Sequence, residues 1–306
     1  MRVVALFGPT GVGKTAVAIA LAELLRARGD EPVAISADAL QVYRGVETLT
    51  GAATKEEQAK LEHSLLSFVD PQDTFSAGQF AERAHQEIDA ALAGGRRPIV
   101  VGGTGLYLQA ALPDLELRPP PDPQARAAVQ ARIDAEGPEA LHAELAARAP
   151  ETAAAIDPHD RTRVSRALEL LEMGEDPAPT GEQSRLWTAR LRHPTLLAGL
   201  TMEREALYAR IDERVDSMVA RGARREVEAA DAAGASPTAR AALGFEELLA
   251  NDVEAMKRRT RNYAKRQLGW MRRLENVHEI DLTQTAAEGA AAEIAHILAA
   301  RPGPVA

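Results

Sequence analysis

Short apolar runs alternate with longer stretches of helical periodicity along the first third of the chain. Val3 to Phe7 is an uninterrupted apolar run that stops at a glycine loop, the pattern of a strand covered on both faces. From Lys14 to Arg28, the residues Val17, Leu21, Leu24 and Leu25 fall at helical spacing, and Gly29 follows as a stop signal. Val33 to Ala37 predicts a second strand and Ile99 to Val101 a third, the latter preceded by a helix over Ala77 to Leu92. Leu196 to Leu200 predicts a further strand, and Val277 to Ile280 a short one. Alternating strands and helices predict an α/β core, a parallel sheet flanked by helices.

That alternation is interrupted. Arg118-Pro119-Pro120-Pro121-Asp122-Pro123 is a stiff, helix-breaking boundary, and His193-Pro194 marks the return. Alanine, arginine and glutamate dominate the stretch between, so residues 118–194 are expected to form a helical insertion. The core then comprises residues 1–117 and 195–300, with 201–274 helical again and 301–306 a loose tail.

Composition narrows the class. The 306 residues predict about two domains, and 45% hydrophobic with 26% charged residues is an ordinary globular balance. Zero cysteines exclude a disulfide scaffold and a thiol nucleophile. No apolar run reaches the length of a membrane span, and the N-terminus leads straight into the first strand without a signal-peptide pattern. The expectation is a soluble, cytoplasmic, monomeric protein that is not attached to a membrane.

Net charge misleads. The total of −9 argues against a nucleic-acid partner, yet Met256 to Arg273 holds eight basic residues and no acidic one. Lys257, Arg261 and Lys265 recur every four residues, with Tyr263, Arg266, Gln267 and Trp270 interleaved. A basic face carrying aromatics suits an RNA backbone and its bases; the alternative is a solvated face with Trp270 in the core.

Gly8-Pro9-Thr10-Gly11-Val12-Gly13-Lys14-Thr15 matches the phosphate-loop pattern, with a strand before it and a helix after it. Backbone N–H groups from Thr10 to Thr15 can converge on phosphate oxygens at a helix N-terminus. Lys14 adds a charge, and Thr15 a hydroxyl for Mg2+. Two apolar runs end in a carboxylate, at Asp38 and at Asp70. Asp38 sits at the carboxyl end of a strand, the edge where open α/β sheets bind ligands; Asp70 precedes Pro71 and fits a turn. The third strand ends in Val101-Gly102-Gly103-Thr104, without an acid, where Thr104 is either a ligand contact or a helix N-cap. Arg161, Arg163 and Arg166 open another helix, either as anion contacts or as solvated salt-bridging residues.

Six ordered blocks, GPTGVGKT, ISADALQVYRG, VGGTGLYLQAAL, RTRVSRALELLE, ALGFEE and AKRQLGWMR, together resemble the tRNA dimethylallyltransferases, also called tRNA isopentenyltransferases, over roughly residues 3 to 281. The resemblance implies a P-loop-type core with a helical insertion that grips the anticodon stem. It implies Mg2+-dependent transfer of a dimethylallyl group from dimethylallyl diphosphate to the exocyclic amine of the adenine just 3′ of the anticodon. It makes Asp38 the general base and Thr104 an adenine- or diphosphate-side contact, and assigns Arg214 with residues 10–15 to diphosphate. It assigns Asp38, Ala39, Leu40, Gln41, Thr104, Arg126, Arg163, Arg166, Lys265, Arg266, Gln267 and Arg272 to tRNA. Three departures stand out: Ala39 replaces a usual serine, Leu49 to Ala53 lacks a usual lysine, and Ser64 replaces the second of two histidines. Competing readings are a P-loop small-molecule kinase, an enzyme prenylating free adenine nucleotides, and a nonenzymatic RNA-binding nucleotide switch.

Overall fold

The structure, a computed structural model, describes residues 2–113, 122–178 and 191–300. The proline-rich boundary at 118–121 and the tail at 301–306 lie outside the described residues. Contacts divide the chain into two units, one of residues 1–114 with 190–306 and one of residues 115–189.

The larger unit begins with β1 (Val3–Phe7), α1 (Lys14–Arg26), β2 (Glu31–Ala37), α2 (Glu47–Thr50), α3 (Lys55–Lys60), β3 (His63–Ser64), α4 (Ala77–Ala93), β4 (Arg96–Gly102) and α5 (Gly105–Ala111). The smaller unit holds α6 (Pro123–Glu136), α7 (Pro138–Arg148), α8 (Pro150–Ala154) and α9 (Arg161–Glu172). The larger unit resumes with β5 (Thr195–Thr201), α10 (Arg204–Ala220), α11 (Ala223–Ala232), α12 (Pro237–Arg240), α13 (Phe245–Leu249), α14 (Val253–Met271), β6 (Val277–Asp281) and α15 (Ala287–Ala299).

Six strands form one sheet in the order β3-β2-β4-β1-β5-β6, all pairings parallel. Alternate residues of β1 serve two cores. Val3, Ala5 and Phe7 pack with Phe80, Ala84 and Ile88 of α4, while Val4 and Leu6 pack with Val17, Leu21 and Leu25 of α1 and Ile294 of α15. Covering both faces explains why β1 reads as a continuous apolar run. β1, β2 and β4 end side by side, Phe7 opposite Gly102 and Ala37 opposite Gly102, so the three loops that follow them share one edge of the sheet.

Two sequence expectations need correction. α1 stops at Arg26 rather than Arg28, because Ala27 to Gly29 form a turn. The strand over Ile99 to Val101 is the fourth, since His63–Ser64 pairs with β2 as a two-residue strand too short to show periodicity. The turn expected at Asp70 is present: Asp73 N–H donates to the Asp70 carbonyl at 2.9 Å, and exposed Asp70 pairs with Arg44 at 3.2 Å.

The smaller unit has its own apolar cluster, built from Val129, Ile133, Leu141, Leu145, Val164 and Leu168. Asp122 and Asp160 cap α6 and α9 by accepting from the N–H groups of Ala125 and Arg163. No helix among the described residues is long and apolar enough to cross a membrane.

Candidate active site

A cavity of about 290 Å³ opens at the shared strand edge of the larger unit. The loop after β1 supplies Thr10, Gly11, Gly13, Lys14 and Thr15, and the loop after β2 supplies Asp38, Leu40 and Gln41. Arg214 reaches it from α10 and Gln267 from α14. Residues separated by most of the chain therefore surround one space. Val12 is the exception in the loop, because its side chain is buried in the core and only its backbone is available there.

Lys14 Nζ donates to the carbonyls of Gly8 and Pro9, at 2.9 and 3.0 Å. Burial lowers its pKa to about 8; the Asp38 charge opposes that shift and the Arg214 charge assists it. Arg214 is itself shifted down, by burial and by Arg221, against the pull of Asp38. Its guanidinium donates to Gly51 O at 3.2 Å, and its buried Nε has no hydrogen-bond partner among the described residues. A side chain at position 51 would collide with Arg214, so the glycine in the departing Leu49–Ala53 segment makes the room that the arginine occupies. Two cations held against their solvation preference around an open cavity form a site for a multiply charged anion.

Asp38 accepts from Leu40 N–H at 3.0 Å through one oxygen, leaving the other without a hydrogen bond among the described residues. Gln41 is engaged internally: Ser36 donates to its Oε1, and its Nε2 donates to the carbonyl of Gly51 at 3.3 Å. Ala39 does not line the cavity; it packs, with Leu40, against the apolar cluster behind it. Thr104 occupies the N-cap position of α5 but makes no cap bond there. Its hydroxyl instead lies 3.1 Å from the hydroxyl of Tyr263, a cavity residue whose pKa is raised to about 12 by burial and by the Asp38 charge.

The basic stripe on α14 divides in two. Lys257 pairs with Asp216 at 2.7 Å and Arg261 with Asp212 at 2.5 Å, both acids lying on α10. Of the three cations expected on an RNA face, Lys257 and Arg261 are thus paired with carboxylates of the same chain. Lys265, Arg266 and Arg272 are exposed and have no ion-pair partner among the described residues. Gln267, expected among the tRNA contacts, is 1% exposed, with its amide bonded to Thr10 N–H and Gly103 O. Trp270 lies on the core side, against Gly105 and edge-on to Tyr263. In the smaller unit, Arg126 and Arg163 are exposed; Arg163 pairs with Asp160 and Arg166 with Glu169.

Sequence reasoning missed the apolar wall of Leu49, Val215, Met218, Ala242, Leu243 and Met256. Arg214, Met218 and Arg221 are spaced for one helix face, a signal that shows a shared side without its chemistry.

The IPP transferase family model matches residues 41–274. A tRNA dimethylallyltransferase of Thermomicrobium roseum is 42% identical over 296 residues, covering 92% of this chain and 87% of that protein. One from Bacillus subtilis is 38% identical over 294 residues, covering 92% and 91%. Among solved structures, the full-length tRNA isopentenylpyrophosphate transferase of Bacillus halodurans aligns with TM-score 0.69 at 35% identity, over 97% of this chain and 95% of that one. A eukaryotic dimethylallyltransferase acting on tRNA aligns with TM-score 0.79 at 27% identity, over 99% and 81%. With a matching family model, relatives alike over nearly their whole length and the same parallel-sheet core, the chain belongs to the IPP transferase family of tRNA dimethylallyltransferases.

Proposed function

We propose that this chain transfers the dimethylallyl group of dimethylallyl diphosphate to the exocyclic amine of the adenine immediately 3′ of the anticodon in tRNA, giving N6-isopentenyladenosine. One observation carries the reading: a single cavity joins a phosphate loop, the buried cations Lys14 and Arg214, the carboxylate of Asp38 and an apolar wall. A small diphosphate with a hydrocarbon tail matches that combination. In the reaction the carbon–oxygen bond to diphosphate breaks, its electron pair leaving with the diphosphate, while the adenine nitrogen bonds to the freed carbon. Lys14 and Arg214 stabilise the departing charge. Asp38 accepts the proton that the amine loses. The adenine leaves its stack to reach the cavity, at the cost of unstacking. We place this activity in the cytoplasm.

Mg2+ fits the residues present. The Thr15 hydroxyl lines the cavity and makes no hydrogen bond among the described residues, and no cluster of three or more metal-ligating side chains occurs among them. Mg2+ commonly takes few protein ligands and completes its shell with substrate phosphates and water. Thr15 together with diphosphate oxygens would hold it, and when bound it would neutralise charge on the leaving group.

The test is a paired assay on one preparation with tRNA and Mg2+ present throughout. Dimethylallyl diphosphate alone is expected to release diphosphate, with added ATP neither required nor consumed. ATP loss coupled to a phosphorylated product would identify a P-loop kinase instead.

The exposed cations predict how tRNA is held. Replacing Lys265, Arg266 and Arg272 with alanine is expected to weaken tRNA binding and to reduce its salt dependence by a slope of roughly 0.7 to 0.9 per lost phosphate contact. Replacing Lys257 and Arg261, which face acids, is expected to leave that slope unchanged. Filter binding across a salt series checks both; equal effects of the two sets would contradict the division of the helix.

A further inference from the structure

We propose that Gln267 is a positioning residue that fixes the phosphate loop against the turn after β4, and so sets the donor side of the cavity in register with the acceptor side. The proposal rests on the functional reading above.

The amide of Gln267 bonds two backbone groups on different loops. Its Oε1 accepts from Thr10 N–H at 2.8 Å, and its Nε2 donates to Gly103 O at 2.7 Å. Turning the amide over would oppose donor to donor and acceptor to acceptor, so its orientation is determined by the two partners. Gly103 is shaped to this contact: a Cβ there would stand 2.3 Å from Gln267 Nε2, 3.0 Å from Gly8 O and 3.3 Å from Lys14 Nζ. The loop lysine, the loop backbone and the Gln267 amide therefore converge on the space beside Gly103.

One helical turn earlier, Tyr263 occupies the same face of α14 and meets the hydroxyl of Thr104, the residue after Gly103. This face of α14 thus holds positions 10, 103 and 104 at once. An apolar residue would suffice for packing alone, as Ala264 and Met271 do on the same helix. A buried amide is costly unless both its functions are bonded, and here both are spent on the two loops whose separation the reaction depends on. Thr10 accordingly commits its N–H to Gln267 rather than to the anion, leaving the later loop residues to meet the diphosphate.

Misplacing reacting groups by about an ångström can cost on the order of 10²-fold in rate. Two variants test this. Gln267→Leu removes both bonds. Gln267→Glu keeps the shape, but its ionised carboxylate repels Gly103 O and draws Lys14 from the carbonyls of Gly8 and Pro9. Protonating that carboxyl restores a donor toward Gly103 O. The charged and titratable side chains sharing the cavity are Lys14, Asp38, Glu57, Arg214, Arg221 and Tyr263, so each rate is taken as a ratio to wild type at the same pH.

Measured quantities are kcat, KM for dimethylallyl diphosphate, tRNA affinity by filter binding and inorganic diphosphate affinity by calorimetry, with circular dichroism to establish folding. Both variants are expected to lose about 10²-fold in kcat and to bind inorganic diphosphate more weakly, with tRNA affinity unchanged. The Gln267→Glu ratio should recover toward acid pH, while the Gln267→Leu ratio should not. Wild-type kcat with weakened tRNA binding would make Gln267 an RNA contact and overturn the proposal. Lost activity in both variants without acid recovery in Gln267→Glu would reduce Gln267 to packing and overturn it equally. Should wild type fail to prenylate tRNA, the functional reading falls separately. Calorimetry then still decides, weaker diphosphate binding in both variants supporting the role of Gln267 at the loop and unchanged binding refuting it.

Discussion

Lys14→Ala is expected to lower the prenylation rate by about 10² to 10³-fold while leaving tRNA affinity intact. The lysine stands at the head of α1, tied to the carbonyls of Gly8 and Pro9, and shares its cavity with Arg214. An anion entering that space exchanges those carbonyls for phosphate oxygens. Because burial holds the free protein's Lys14 pKa at about 8, the ammonium is present below that pH and lost above it. Binding diphosphate favours the charged form, so above about pH 8 the anion binds with proton uptake and affinity falls, by up to about tenfold per unit. Calorimetry with inorganic diphosphate across that range should show the falling limb in wild type and its absence in Lys14→Ala. A rate near wild type in the purified variant would remove Lys14 from the chemistry.

Asp38→Asn is expected to lower the transfer rate by about 10² to 10⁴-fold at saturating tRNA. The substitution preserves the oxygen that accepts from Leu40 N–H, so the turn after β2 should hold its shape. It removes the acceptor for the amine proton. Single-turnover kinetics with prebound tRNA isolates the step. Normal transfer at saturating tRNA combined with reduced affinity would make Asp38 a binding residue.

The parts of the fold that rest on local pattern were legible from the residues. β1 shows because both its faces are buried, and the glycine loop after it matches a motif whose spacing is itself the geometry. β3 was invisible because two residues have no period, and α15 because its alanines pack well without standing out. Charge on α14 was legible as a stripe but not as a division. What decides it lies on another helix: Asp212 and Asp216 are four residues apart, as Lys257 and Arg261 are, and the pairs run in opposite order, as antiparallel helices require. Gln267 illustrates a harder case. Its partners are 257 and 164 residues away, so no local spacing reports them. Arg214 was placed by resemblance, whereas the reason a glycine sits at position 51 emerged only from the collision that a side chain would cause there.

The most direct test is nucleoside analysis of an unmodified tRNA after incubation with the purified protein, Mg2+ and dimethylallyl diphosphate, followed by digestion and mass spectrometry. A single dimethylallyl adduct is expected, located on the exocyclic amine of the adenine 3′ of the anticodon and formed in step with released diphosphate. Its formation should be slowed by about 10²-fold or more in Lys14→Ala and Asp38→Asn. An unmodified tRNA after incubation with folded protein, or an adduct on free adenine nucleotide instead of tRNA, would contradict the proposed function.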